Sequence, residues 1–354
     1  MSQTKTPIAL LCMPNGDARN AMHAALAALH VESQDIMPSK TELANLAQTL
    51  HANPQAVAII DLAQARHAAA NILALAALLP DVKVRRQIAL TRAHRGVWPS
   101  DRAWAKELGF ADFFAELDAG SLLAESSSVL EWVAHNSGMG AGPAPGVASI
   151  EIESLKQHFD TLHIKPEMAS ERGIIRRATA LSAEAFCTAL AGQVDTQDRT
   201  YNLAVYPSCF LGSDAVDWIS KEYAITKDHA VSLGVALQEL GLLHHVAHEQ
   251  VFSDAPFFYR TEWSDGTQRL SPGSIFSLIT SKSGVLVQDR NYHGTNYAAC
   301  FVGSYAVDWL NSKRQISRLD AEIMLNRLRG FDLIEHVTHE HPVLDGMYFY
   351  RFTG

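Results

Sequence analysis

The chain has 354 residues, 47% hydrophobic and 19% charged, a balance that excludes a disordered polymer and leaves room for two or three domains. Acidic side chains outnumber basic ones 38 to 29, a net charge of −9, which argues against a nucleic-acid binder because that role needs a concentrated positive face. The longest apolar run, 68–79, is 12 residues and is interrupted by Asn71, too short to cross a bilayer. Four cysteines without a C-x-x-C pair make no disulfide framework, and the first residues show no signal-peptide pattern. A cytoplasmic setting is expected.

Residues 1–137 alternate apolar runs with helical stretches. Strands are predicted at 8–13, 57–62, 87–91 and 112–117, with a weaker one near Ile36, and helical spacing fills the gaps, including one long helix in ARHAAANILALAALL. Continuous apolar strands separated by helices predict a flavodoxin-like α/β doubly wound parallel sheet. In layout this part resembles a response-regulator receiver domain. The resemblance puts Asp61 at the phospho-acceptor position and Thr91 at the switch hydroxyl position. The acidic pair it needs after the first strand is instead Cys12-Met13-Pro14, and its basic residue after the fifth strand is Glu116. Asp17 and Asp112 do not stand at the expected strand ends. With metal shell and countercharge both missing, a pseudo-receiver is expected, serving as a dimerisation or docking surface, with Asp61 a relic or a helix cap. The rival is a working response regulator phosphorylated on Asp61. No phosphate-cradling glycine loop or catalytic constellation is visible, so neither cofactor nor enzyme activity is expected.

Residues 138–180 read as a connection. NSGMGAGPAPGVAS (136–149) is a Gly/Pro-rich linker, and IEIESLKQHFDTLHI places Ile152, Leu155, Phe159 and Leu162 on one helical face. That face could pack on its own chain or on a second copy, giving a homodimer.

Shifting the chain by 91 positions aligns 198–262 with 289–353 without a gap, at 24 identities in 65 positions. DRTYNLAVYPSCFLGSDAVDWISKEYAIT is matched by DRNYHGTNYAACFVGSYAVDWLNSKRQIS, and LHHVAHEQVFSDAPFFYR by IEHVTHEHPVLDGMYFYR. Each copy predicts a helix near 182–192 or 273–282 and a second one capped by Ser213 or Ser304 with Asp217 in its first turn. A third starts near Thr226 and ends at Gly241. A closing hairpin follows, turning at Ser253–Pro256 or Asp345-Gly346. Trp218 and Trp309 read as core anchors, and each unit of about 80 residues is expected to bury its own core.

The order D-R-x-Y, C-F-x-G-S-x-A-V-D-W, H-V-x-H-E and a final F-Y-R resembles the DEP domain, over 181–263 and 271–354. The resemblance implies an α+β, winged-helix-like fold of three helices with a hairpin arm and a closing hairpin. It also implies a non-catalytic role in intracellular signalling, through docking to other signalling proteins or recruitment to a membrane. Residues 181–263 carry 4 basic and 11 acidic side chains, whereas 264–354 carry 9 of each. A membrane contact therefore falls to the second unit, with Arg290, Lys313, Arg314, Arg318, Arg327 and Arg329 as candidate anionic-surface or partner contacts, against the alternative of a solvated helix face. His245, His248, His336, His339 and His341 are read as structural rather than metal-binding, since strand residues three apart face opposite ways.

Overall fold

Runs of three or four buried aliphatic residues build the centre of the N-terminal sheet. In the computed structural model, which describes residues 7–92, 95–115, 117, 119–123, 128–137, 152–164, 170–201, 203–264, 267 and 270–353, β1 (Ile8–Cys12), β3 (Val57–Asp61) and β4 (Ile88–Arg92) lie almost wholly inside. With β2 (Glu32–Asp35) and β5 (Asp112–Ala115) they form a parallel sheet of order β2-β1-β3-β4-β5. The expected strand near Ile36 lies just before it, in ESQD. This is an edge strand with solvated side chains, so it lacks the apolar run that marks the others. The linker 138–149 and Glu116 fall outside the described residues.

Helices α1 (Asp17–Ala28), α2 (Lys40–Ala52), α3 (Leu62–Ala65), α4 (Ile72–Leu78), α5 (Val82–Arg85), α6 (Pro99–Glu107), α7 (Ala119–Leu122) and α8 (Ser128–Asn136) flank the sheet. The single helix expected over 65–79 is broken. Asn71 stops it by accepting the backbone N–H groups of Leu73 and Ala74, the start of α4. The amphipathic helix α9 (Ile152–Thr161) buries Leu155 and Phe159 in the same apolar cluster as Met22 and Leu26 of α1, so its face is used within the chain.

Helix α10 (Glu171–Thr179) leads into the first repeat: α11 (Ala183–Gln193), β6 (Gln197–Tyr201), β7 (Ala204–Leu211), α12 (Gly212–Glu222), α13 (Lys227–Glu239), β8 (Leu243–His245) and β9 (Phe258–Thr261). The second runs α14 (Pro272–Ile279), β10 (Gln288–Tyr292), β11 (Thr295–Val302), α15 (Gly303–Arg314), α16 (Arg318–Gly330), β12 (Ile334–His336) and β13 (Phe349–Phe352). Both sheets have the same order, β6-β7-β9-β8 and β10-β11-β13-β12, and remain separate. The tight turns belong to the arms, where Tyr201 pairs Ala204 and Tyr292 pairs Thr295. The closing strands are not joined by the tight turn that Asp345-Gly346 suggested: a twelve-residue loop separates His336 from Phe349.

That loop has a structural task. Its backbone carbonyls cap the helix after the arm: Gly212 N–H donates to Phe257 O and Ser213 N–H to Ala255 O, with Gly303 to Tyr348 O and Ser304 to Gly346 O in the second copy. Ser213 and Ser304 are therefore inside the first turn rather than side-chain caps. Asp217 likewise sits a turn further in, paired with Lys227, and Asp214 holds the first-turn acidic place. A Cβ on Gly212 would lie 2.4 Å from Ser253 O, and one on Gly303 2.3 Å from Leu344 O, so close approach requires glycine at both. Helix α13 starts on Thr226 as expected, and Gly241 follows it at φ +63°.

The cores differ between the copies. The first repeat packs Phe186, Phe210, Leu237 and Tyr259 with Ile175 and Trp98 into its own cluster. In the second, Phe301, Met324, Phe331 and Tyr350 share one continuous apolar cluster with Trp104 and Phe113 of the N-terminal sheet. Trp104 meets Phe331 edge-on at 4.9 Å between ring centroids. Neither copy thus has the expected self-contained core: the first adds Trp98 and Ile175 to its own cluster, and the second merges with the core of the N-terminal sheet. The tryptophans read as anchors, Trp218 and Trp309, are only half-buried; Phe210 and Phe301, and Tyr259 and Tyr350, are the buried aromatics at matching positions of the two copies.

Candidate functional site at the junction of the three modules

Asp61 ends β3, Thr91 is the last but one residue of β4, and the two pair directly in register. Both are buried. Asp61 Oδ1 accepts the Gln64 N–H at 3.1 Å and so caps α3, while the Thr91 hydroxyl donates to Ala115 O at 2.8 Å. Cys12 ends β1; burial, and then the nearby charge of Asp61, push its thiol up to about 12. A neutral thiol offers a magnesium ion nothing. Asp112 is taken up by Arg102 at 2.7 Å and Lys106 at 3.1 Å, and Asp17 begins α1.

The second repeat closes over this carboxyl edge of the sheet. Arg66 pairs with Asp332, Asn71 Nδ2 donates to Thr353 O at 2.9 Å, and the Arg92 guanidinium lies 5.5 Å from the centre of the Phe331 ring. Arg327 pairs with Asp101 and donates to Thr267 O at 3.1 Å. The first repeat docks through Glu184, which accepts the Val97 N–H at 3.0 Å and two bonds from Arg172, whose Nη2 also donates to Arg95 O at 2.8 Å.

These contacts redistribute the candidate basic residues. Lys313 and Arg314 are exposed. Arg318 is held between Asp308 and Asp345. Arg290 lies against the rings of Tyr305 and Phe349, and Arg329 faces the junction. Arg327 leaves the expected surface set altogether, because its charge is buried against Asp101. Arg66, Arg92 and Arg95 carried no sequence signal; only the fold brings them beside Arg329.

The hairpin histidines cap the closing loops. His245 Nδ1 accepts the N–H groups of Ala247 and Glu249 at 3.4 Å, and His336 Nδ1 those of Thr338 and Glu340 at 3.4 Å. Burial lowers the pKa of both rings. His248 stacks on His244 at 4.7 Å, and His244 meets Glu262 at 3.0 Å. At the arm tips, Leu203 is 99% exposed, and Tyr201 and Tyr292 are exposed beside the turns.

The pattern of arm, capped helix pair and closing strands defines the class of module. The family model "Domain found in Dishevelled, Egl-10, and Pleckstrin (DEP)" matches residues 193–261 and again 284–352. The chain is similar to the phosphatidylinositol 3,4,5-trisphosphate-dependent Rac exchanger 1 protein of Mus musculus, 29% identical over 167 residues, covering 44% of this chain and 10% of that protein. It is similar to Rac exchanger 2 of Homo sapiens at 28% over 167 residues, with 44% and 10% covered. The vacuolar membrane-associated protein iml1 of Emericella nidulans is 33% identical over 87 residues, 24% of this chain and 5% of that protein. The chain spans a tenth or less of the length of these curated relatives. Among the described residues no helix is long and apolar enough to cross a membrane.

Proposed function

We propose that the chain is a non-enzymatic signalling adaptor. A flavodoxin-like pseudo-receiver, residues 1–137, is coupled through 138–180 to two protein-docking DEP modules at 181–263 and 271–354. The observation that carries this reading is the pair of DEP matches on two separate folds of identical sheet order. The relatives' names, Rac exchangers and vacuolar membrane-associated proteins, fit a regulatory setting. Against phosphoryl chemistry stand the Asp61 oxygen given to a helix cap, the Thr91 hydroxyl given to Ala115 and the Cys12 thiol in the metal position. The docking surface is assigned to the arms, whose tips present Leu203 and Tyr292 to solvent.

Proximity labelling by the full chain in its native cytoplasm tests this. A partner set captured by the wild type and lost with Leu203→Asp or Tyr292→Asp is expected; identical sets from wild type and both variants would overturn it. The second reading is peripheral membrane binding through the second module, favoured by exposed Lys313 and Arg314. At about 1 kcal/mol per cation near an anionic surface, two charges give weak binding alone. Flotation with anionic vesicles, abolished by Lys313→Glu with Arg314→Glu, would move the reading there.

A further inference from the structure

Arg92, Arg95 and Arg329 line one cleft of about 410 Å³ where the N-terminal sheet meets both repeats. Arg95 and Arg329 also line an adjoining cleft of about 340 Å³ with Arg66. Among the described residues, none of the first three has a carboxylate at ion-pair distance, in contrast to their neighbours Arg66 and Arg327. The carboxylates around the clefts are otherwise engaged: Asp101 by Arg327, Asp332 by Arg66, Glu262 by His244, and Glu335 by Arg351 and His339 at 4.0 and 3.9 Å. Glu239 is exposed.

Gathering like charges in a half-closed space is costly. Burial, and then the nearness of Arg95, pull Arg92 down to about 9; burial, and then Arg329, lower Arg95. Folding alone does not account for three cations brought together, among the described residues, with no ion-pair partner of their own, the charges of Asp101, Asp61 and Glu262 acting on them only from beyond ion-pair distance. A ligand does. Guanidinium forks match the oxygens of a phosphoryl group, and such pairs are among the stronger hydrogen bonds in a partly desolvated site. The cleft has the volume of a small-molecule site, and Trp98, Leu242 and Phe331 give it apolar walls.

We propose that the junction cleft binds a small phosphate-bearing polyanion, held by Arg92 and Arg95 from the N-terminal module and Arg329 from the second repeat. The ligand bridges the modules and strengthens their packing by binding the docked state. This inference is independent of the adaptor reading, since it concerns neither the arms nor Asp61.

The test uses the full chain and inorganic pyrophosphate at constant ionic strength, read by calorimetry and thermal melting. A parallel arm uses phosphatidylcholine vesicles containing phosphatidic acid, read by flotation. Saturable pyrophosphate binding that raises the melting temperature is expected, weakened roughly tenfold or more in Arg95→Gln and Arg329→Gln. Without ligand, relief of repulsion should leave Arg95→Gln melting no lower than wild type, which separates lost binding from lost folding. Vesicle binding lost in both variants, without pyrophosphate binding, identifies the phosphoanion as a lipid headgroup and still supports the site. Binding of either probe at wild-type strength in both variants, or no binding of either probe, would overturn it.

Discussion

Arg327 of α16 reaches Asp101 of α6 across the boundary between the second repeat and the N-terminal sheet, with side chains only 6% and 5% exposed. The other Asp101 oxygen accepts the Trp98 N–H at 2.9 Å, so one carboxylate both starts α6 and receives the foreign cation. Removing one member of a buried pair strands the other charge, which typically costs about 3–5 kcal/mol. Arg327→Ala should lower unfolding stability by that order in urea. Asp101→Ala should do the same, and the double variant should lose less than the sum. A loss within about 0.5 kcal/mol for Arg327→Ala, typical of an unremarkable surface site, would contradict the clamp.

Asn71 performs two tasks, capping α4 and donating to Thr353 O near the end of the chain. Asn71→Ala removes both and should destabilise by about 1–2 kcal/mol. Asn71→Asp keeps the cap but not the donated bond, and should fall between. Equal stability of all three proteins would remove Asn71 from the interface.

Gly212 and Gly303 permit the close contact between helix start and closing loop in each repeat. Alanine at either site meets a carbonyl oxygen and a tyrosine ring, and should cost about 1–3 kcal/mol through displacement of that loop. Hydrogen exchange should show the N–H groups of residues 212 and 213 opening faster in Gly212→Ala, and those of 303 and 304 in Gly303→Ala; exchange as slow as in the wild type would contradict the close contact.

Much of this fold was legible in the sequence. β1, β3 and β4 declared themselves because strands buried on both faces need unbroken apolar runs. The repeats declared themselves through the 91-residue offset and led to the DEP resemblance, which the family model supports. β2 was blurred because an edge strand needs no apolar pattern. The break at Asn71 was hidden by good helical spacing on both sides, although an asparagine before a fresh apolar run is a cap signal. The site at the junction was illegible, because Arg92, Arg95 and Arg329 come from distant parts of the chain and only module packing joins them.

His245 and His336 give the chain an acid sensitivity with a defined sign. Each ring accepts backbone N–H groups at Nδ1, which its protonated form cannot do, and burial lowers its pKa below the ordinary 6.5. Above the ordinary value both folded and unfolded forms are neutral and the caps are intact. As pH falls below 6.5, the unfolded chain binds protons first, and stability drops until the folded rings protonate too. The melting temperature should therefore fall from pH 7 toward pH 5, and less steeply in a variant carrying His245→Gln and His336→Gln. An equally steep fall in that variant would assign the acid response to other groups.

The adaptor reading rests on binding rather than phosphoryl transfer, and the carboxylate of Asp61 tests that most directly. The full chain is incubated with acetyl phosphate and Mg²⁺, and the intact mass is followed beside Asp61→Asn. The account predicts no phosphoryl adduct in either protein. An adduct on the wild type that disappears in Asp61→Asn would contradict it and make the N-terminal module a working switch.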